Sequence, residues 1–554
     1  MNTITGVADA YLEARALLDP DAADTLGRTP RSRFPDLSPA GFDARADLDR
    51  ATLRAAGTAS AHAAGERPLA AAFTERLRSD TALHDAGFTT RLLAPLATPV
   101  HLVRQVFDTL PRGSDGDWAV VAEHLEGVAA ALGQYTETLR RSADRGQLVA
   151  RRQVLAVADQ CTTWIAHDDF YGRLIAGHHG GPHADRLATG AERAGAATIG
   201  FVAFLREELA PHATTVDGVG RELYTVTAGS FLGAEVDLDD LYAYGWEELN
   251  HTAREMRAVA EELGHGSVAS ALAALDADPR WRVPVGAPLA GWLQERVDRV
   301  TDALDGTHFD IPAATRRVDC HLSPASSGVM YYTPPDAGLT RPGGIWWPVP
   351  AGQDTVPVWQ HVGTLFHEGL PGHHLQHAIT LGTTALHPWQ RTLCHVHGYA
   401  EGWAHYAERL ADELDLYEGP AERLGMLCGQ MWRACRIVID LGLHLDLPIP
   451  AANGFTLATR WTPELAVAFL QSTAGLDAST ARFEVDRYLG WPGQALAFKV
   501  GARLWRRARH DAEVRDGAAF DLRTFHMAAL RLGPMGLDPL RASLADLPEV
   551  GTPR

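Results

Sequence analysis

Phe366-His367-Glu368-Gly369-Leu370-Pro371-Gly372-His373-His374-Leu375-Gln376 is the stretch on which the reading of this chain turns. Two imidazoles, neutral donors at pH 7, flank a carboxylate that directly follows the first of them. That is the ligand-plus-base set of a zinc hydrolase. In the common H-E-x-x-H arrangement the histidines are four apart on one helical face. Here Gly-Leu-Pro-Gly separates Glu368 from His373, so the histidines are six apart. On an unbroken helix six residues turn about 600°, which would carry His373 off the face of His367. Pro371 argues against an unbroken helix, because it lacks a backbone donor and biases Leu370 away from helical angles. Gly372 then frees the chain to turn. The expected local structure is a helix interrupted by a two-residue insertion that returns His373 toward His367. His374 is the rival, since seven residues regain nearly the same face about 10 Å further along the axis. His373 is preferred.

A third ligand is expected on a later helix. Gly398-Tyr399-Ala400-Glu401-Gly402-Trp403-Ala404-His405-Tyr406-Ala407-Glu408 offers Glu401 among small and apolar neighbours. A carboxylate in such company is partly buried and needs a partner. With it the set becomes His2Glu, leaving one position for water.

These residues resemble the DUF885 family, mostly bacterial proteins marked by H-E-x-x-P-G-H-x-x-Q followed by G-x-x-E-G-W-A. His367, Glu368, Pro371, Gly372, His373 and Gln376 match the first motif. Gly398, Glu401, Gly402, Trp403 and Ala404 match the second. Further matches are Arg436-Ile437-Val438-Ile439-Asp440-Leu441-Gly442-Leu443-His444, Glu484-Val485-Asp486-Arg487-Tyr488 and Trp491-Pro492-Gly493-Gln494-Ala495. The resemblance covers most of the chain and is sharpest between residues 325 and 505. It implies distant kinship with the mainly helical gluzincin peptidases, and with it their fold and one zinc ion per chain. It does not imply a substrate.

The 554 residues are 46% hydrophobic and 21% charged, the composition of a globular protein. A net charge of −19 argues against a nucleic-acid or anionic-membrane partner, since both need a basic face. No apolar run is long enough to span a bilayer. Met1 to Ala10 lacks the basic and apolar regions of a signal peptide. Cys161, Cys320, Cys394, Cys428 and Cys435 have no C-x-x-C spacing and read as reduced thiols. Together these features lead to the expectation of a cytoplasmic protein.

Apolar residues at three and four spacing, such as Val103, Val106, Phe107 and Leu110, predict amphipathic helices over much of residues 48 to 307. Asp237-Leu238-Asp239-Asp240 reads as an acidic helix start. The period changes near His308. Arg317 to Leu322, Val329 to Tyr332 and Gly344 to Val349 are short alternating segments bounded by Pro and Gly, which predict a small antiparallel sheet. An edge of such a sheet beside a cleft can pair with an extended peptide. Tyr331 and Tyr332 are therefore either cleft-lining or packed under the metal helix. From Val358 onward the chain is again helical, with a loosely ordered tail after about residue 540. The expected fold is mainly α, a large helical metallopeptidase-like architecture. An N-terminal helical half (1–230) would face a metal-bearing half (231–554) that carries the sheet at about 308–350.

Zinc held by His367, His373 and Glu401 would acidify its fourth ligand, a water, and Glu368 would act as general base. An anionic tetrahedral intermediate needs a further donor. Tyr488 is a candidate for it, with His444, four residues from Asp440, as competitor. Arg487 could instead pair with a substrate carboxylate. Gln494 and Lys499 are further candidates for binding substrate, Lys499 at a terminal carboxylate. A buried structural network is the alternative for each of Arg487, Tyr488 and His444, and a solvated charge for Lys499. His361, His395 and His397 are left without a role, and His405 as at most a supporting partner of Glu401. The expected function is a zinc-dependent hydrolase cleaving an amide bond in a short peptide or peptide-like molecule. The alternatives are a metal-dependent lyase or tailoring enzyme acting on a metabolite, and a non-catalytic binding protein. Oligomeric state stays open.

Overall fold

A computed structural model describes residues 3–61, 65–325, 330–336, 338–350 and 352–547. The chain is mainly helical, with a small sheet between the helices of its first half and the metal-motif helices. Asp237 does start a helix: its carboxylate accepts from the Asp239 and Asp240 amides and opens the Leu238–Glu262 helix.

The hydrophobic residues gather into two cores. One is built from residues between Leu37 and Ala210, around the Asp115–Asp144 and Ala184–Ala203 helices. The other joins the N-terminal Ile4–Leu18 and Glu66–Asp85 helices to nearly everything after Tyr224. At its centre runs Pro420–Leu445, a helix buried on almost every side. The Leu238–Glu262 helix lies so close to it that a Cβ at Gly245 would come within 2.8 Å of Ile437 and Val438. His397–Glu413 and Ala497–Asp516 cross through a glycine pair, where a Cβ on Gly402 would sit 2.5 Å from the Gly501 Cα. These contacts need glycine for space.

The sheet orders its strands Val318–Ala325, Gly343–Pro350, Tyr331–Thr333. Tyr331–Thr333 pairs antiparallel with Gly343–Pro350, as the alternation led one to expect, whereas Val318–Ala325 joins the same strand in parallel. Val329 lies outside the described residues. A second pair, Arg282–Pro284 with Thr355–Pro357, is antiparallel. The C-terminal region is more ordered than its composition suggests. Leu537–Ala545 is a helix whose Leu537, Leu540 and Leu544 are buried, and residues 548–554 lie outside the described residues.

Burial sets a pH limit on this fold. His101, His444 and His526 are buried, and desolvation lowers their pKa to about 4, about 4 and about 3. In the unfolded chain each titrates near 6.5, so between about 4 and 6.5 the unfolded state binds the extra protons. Stability therefore falls as pH falls through that window, by about 1.4 kcal/mol per pH unit for each ring. Asp440 works in the opposite sense, because burial raises its carboxyl to about 7. Urea unfolding at pH 7.0, 5.5 and 4.5 is expected to show a falling midpoint with net proton uptake. A flat profile would mean that these rings charge inside the fold.

Candidate metal centre

The helix break takes the expected form. Val362–Glu368 ends at Gly369, and a new helix, His373–Gly382, starts after the cis Leu370–Pro371 peptide. Backbone bonds close the break, from Gly372 N to Phe366 O and from His374 N to Gly369 O, both 3.0 Å. A Cβ at Gly372 would lie 2.0 Å from the His367 carbonyl oxygen, so no other residue fits there. The Trp403 indole, on the second motif, donates to the carbonyls of Pro371 (2.9 Å) and Gly372 (3.2 Å). The two motifs are thus tied at the break itself.

The break brings His373 to His367. Ligand atoms of His367, His373 and Glu401 all lie within 4.8 Å of one another. Glu401 Oε2 is 3.2 Å from His367 Nε2 and 3.6 Å from His373 Nε2. His367 is buried, while the His373 and Glu401 side chains keep 12% and 22% exposure, so the group opens toward solvent on one side. His374 points elsewhere: its Nδ1 is 3.0 Å from the Tyr332 hydroxyl. Burial lowers its pKa to about 4. Of the two rivals, His373 is the one placed to ligate.

Glu408 completes the arrangement and went unassigned in the sequence. Its Oε1 lies 2.8 Å from His367 Nδ1, and its Oε2 accepts from Gln430 at 2.7 Å and sits 3.3 Å from His405 Nδ1. A carboxylate on Nδ1 fixes the proton there and leaves Nε2 as the free lone pair. Glu408 follows Glu401 by seven residues, two helical turns on one face, and that spacing was the available signal. His405 supports Glu408 rather than Glu401. Burial works to lower the His367 pKa, but hydrogen bonds to Glu401 and Glu408 hold it up, at about 9, so a metal would bind Nε2 by displacing the proton it carries toward Glu401.

Glu368 stands beside this group. Burial raises its pKa above the usual carboxylate range, against the pull of His367 and His373. Tyr332 also reaches the site, its ring stacked 6.5 Å from His373. Other candidates do not. His444 is enclosed, its Nδ1 accepting from the Val219 amide at 3.2 Å and its Nε2 lying 3.0 Å from the Tyr488 carbonyl. Tyr488 donates its hydroxyl to Glu484 at 2.6 Å, so its single proton is already committed. Arg487 donates to Glu484 (2.7 Å) and Gln494 (3.2 Å). Lys499 is 1% exposed and donates to Glu248 (2.8 Å) and Gln430 (3.0 Å). The oxyanion and carboxylate roles expected of His444, Tyr488, Arg487 and Lys499 are corrected accordingly. His444, Tyr488 and Lys499 have their polar atoms engaged by the fold, while Arg487 is tied through its two terminal nitrogens, its Nε lacking a partner, and the same pairing holds Gln494 against it. Of the remaining histidines, His361 packs on Trp347, while His395 and His397 pack on each other.

Fold and site together define a mainly helical protein with a two-histidine, one-glutamate centre built across a broken helix. The chain belongs to the family described as "Bacterial protein of unknown function (DUF885)", whose model matches residues 20–544. Among solved structures it is similar to a "putative lipoprotein" from Colwellia psychrerythraea, at 20% identity and a TM-score of 0.84, covering 98% of this chain and 99% of that one. It is also similar to a "putative lipoprotein of unknown function" from Shewanella oneidensis, at 14% identity and a TM-score of 0.74, covering 99% and 100%. At these identities the likeness shows the fold alone. Comparison with curated proteins returns no match. The description of both neighbours as lipoproteins overturns the cytoplasmic location expected above. The physical reason is that the five cysteines are buried or half-buried single thiols, which reflects packing and carries no information on compartment. Among the described residues no helix is long and apolar enough to cross a membrane.

Proposed function

We propose that this protein is a zinc-dependent hydrolase that cleaves an amide bond in a short peptide or peptide-like molecule. The observation that carries the reading is the convergence of His367, His373 and Glu401 within 4.8 Å, with the half-buried Glu368 next to His367 in the chain. Two imidazoles and a carboxylate are a donor set suited to zinc. Zinc bound there would supply a Lewis acid that polarises a carbonyl and acidifies water toward neutral pH. The chain's own groups do the rest. Glu408 holds the His367 ring with Nε2 facing the site. Glu368, raised by burial toward the working pH, takes the proton of the attacking water and passes it to the leaving nitrogen. Tyr332, stacked beside His373, lines the approach. The distant kinship with gluzincin peptidases that the family resemblance implies accords with this reading.

The test is a panel of dipeptides and tripeptides with free or blocked ends, incubated with zinc-loaded protein. Cleavage is expected to stop with a chelator and return with zinc. A protein that binds zinc and cleaves none of them would move the reading to a metal-dependent lyase or tailoring enzyme acting on a metabolite.

A further inference from the structure

Pro420–Leu445 carries Arg433 and Arg436 one turn apart, and both guanidiniums face the metal centre's surroundings instead of solvent. They are 7% and 4% exposed. The Arg433 guanidinium lies 4.8 Å from the Trp432 ring and 5.4 Å from the Phe498 ring. That of Arg436 lies 4.6 Å from each. Phe498 in turn stacks on His367, with ring centroids 5.8 Å apart and planes 21° from parallel. One aromatic ring thus separates the arginine pair from a metal-ligand candidate.

The pair is short of direct partners: Glu401, Glu408 and Glu484 act on Arg433 through space without touching it. Glu484 Oε2 is 3.2 Å from Arg436, but the same oxygen receives Arg487 and the Tyr488 hydroxyl. Arg436 Nε and Nη1 are buried without a partner. Arg433 makes no hydrogen bond and no ion pair among the described residues, and its Nε is also buried and unsatisfied. Glu401 and Glu408 are held by His367, Glu368 stands next to it in the chain, and none of the three forms an ion pair with Arg433. Burying guanidinium donors without partners is unfavourable, and two guanidiniums side by side repel. Stacking on Trp432 and Phe498 offsets only part of this. An anionic group from a ligand would supply the missing partner.

We infer that Arg433 and Arg436 form the subsite for an anionic group of the substrate, a carboxylate received across the guanidinium forks beside the metal centre. The identity of the anion as a carboxylate rests on the peptide-like substrate proposed above; the subsite itself rests on the arginine pair. It takes over the role first expected of Arg487, whose terminal nitrogens are held by Glu484 and Gln494, and of Lys499, held by Glu248 and Gln430. Two planar forks match a carboxylate better than ammonium groups would.

Isothermal titration of the full chain, zinc-loaded, with succinate, its neutral diamide and inorganic phosphate tests this, comparing wild type with Arg433→Gln and Arg436→Gln. Zinc content and circular dichroism are recorded for each protein. Succinate is expected to bind wild type, the diamide not, and each substitution to weaken succinate about tenfold or more with zinc retained. Should either Gln variant fail to fold, Arg433→Lys, which keeps the charge without the fork, is expected to weaken succinate too. Succinate binding unchanged in folded variants, absent from zinc-loaded wild type, or weaker than that of phosphate would overturn the inference. Binding is read without turnover, so an absence of peptide cleavage would count against the hydrolase and leave this result standing.

Discussion

Glu368→Gln is expected to keep its metal and to lose turnover by about 10²–10⁴-fold, the usual contribution of a positioned general base. The substitution preserves volume and hydrogen-bonding capacity and removes only the ability to accept a proton. Glu368 lies outside the converging group of His367, His373 and Glu401, so its charge is not needed for ligation. Burial raises its pKa, which makes its carboxylate a stronger base than an exposed one. Zinc content and kcat/KM on the best peptide, measured on one preparation, check this. Loss of metal together with activity would make Glu368 a ligand and not a base.

Glu408→Gln is expected to weaken zinc affinity by about 10- to 100-fold, the range for removing a carboxylate that orients a ligating histidine. The amide still fills the space and can accept from His367 Nδ1, which lies 2.8 Å from the native oxygen. It loses the negative charge that favours His367 with Nδ1 protonated and Nε2 free. Competition with a fluorescent chelator measures the change. An unaltered affinity would mean that the ring is oriented by packing on Phe498 alone.

What was legible in the sequence divides along physical lines. Ligand type is a property of the side chain, and the helix break is dictated locally by Pro371 and Gly372. His367, His373, Glu368 and Glu401 could therefore be read from two short stretches. The N-cap at Asp237 was legible for the same reason. Partners were not. Lys499 and Glu248 are 251 residues apart in the chain, and nothing near either announces the other. His444 and Tyr488 had the right residue type for a donor, but their protons are committed to groups on other elements. Alternation in residues 317–349 located the strands, yet only the folded order places Gly343–Pro350 between the other two. Arg433 and Arg436 went unassigned because guanidinium donors without partners become visible only in the folded chain.

Elemental analysis of purified protein after incubation with zinc and desalting bears most directly on the central claim, with wild type, His373→Ala and His374→Ala side by side. The account predicts about one zinc per chain in wild type and in His374→Ala, and little in His373→Ala. Full zinc in His373→Ala, or none in wild type, would contradict it.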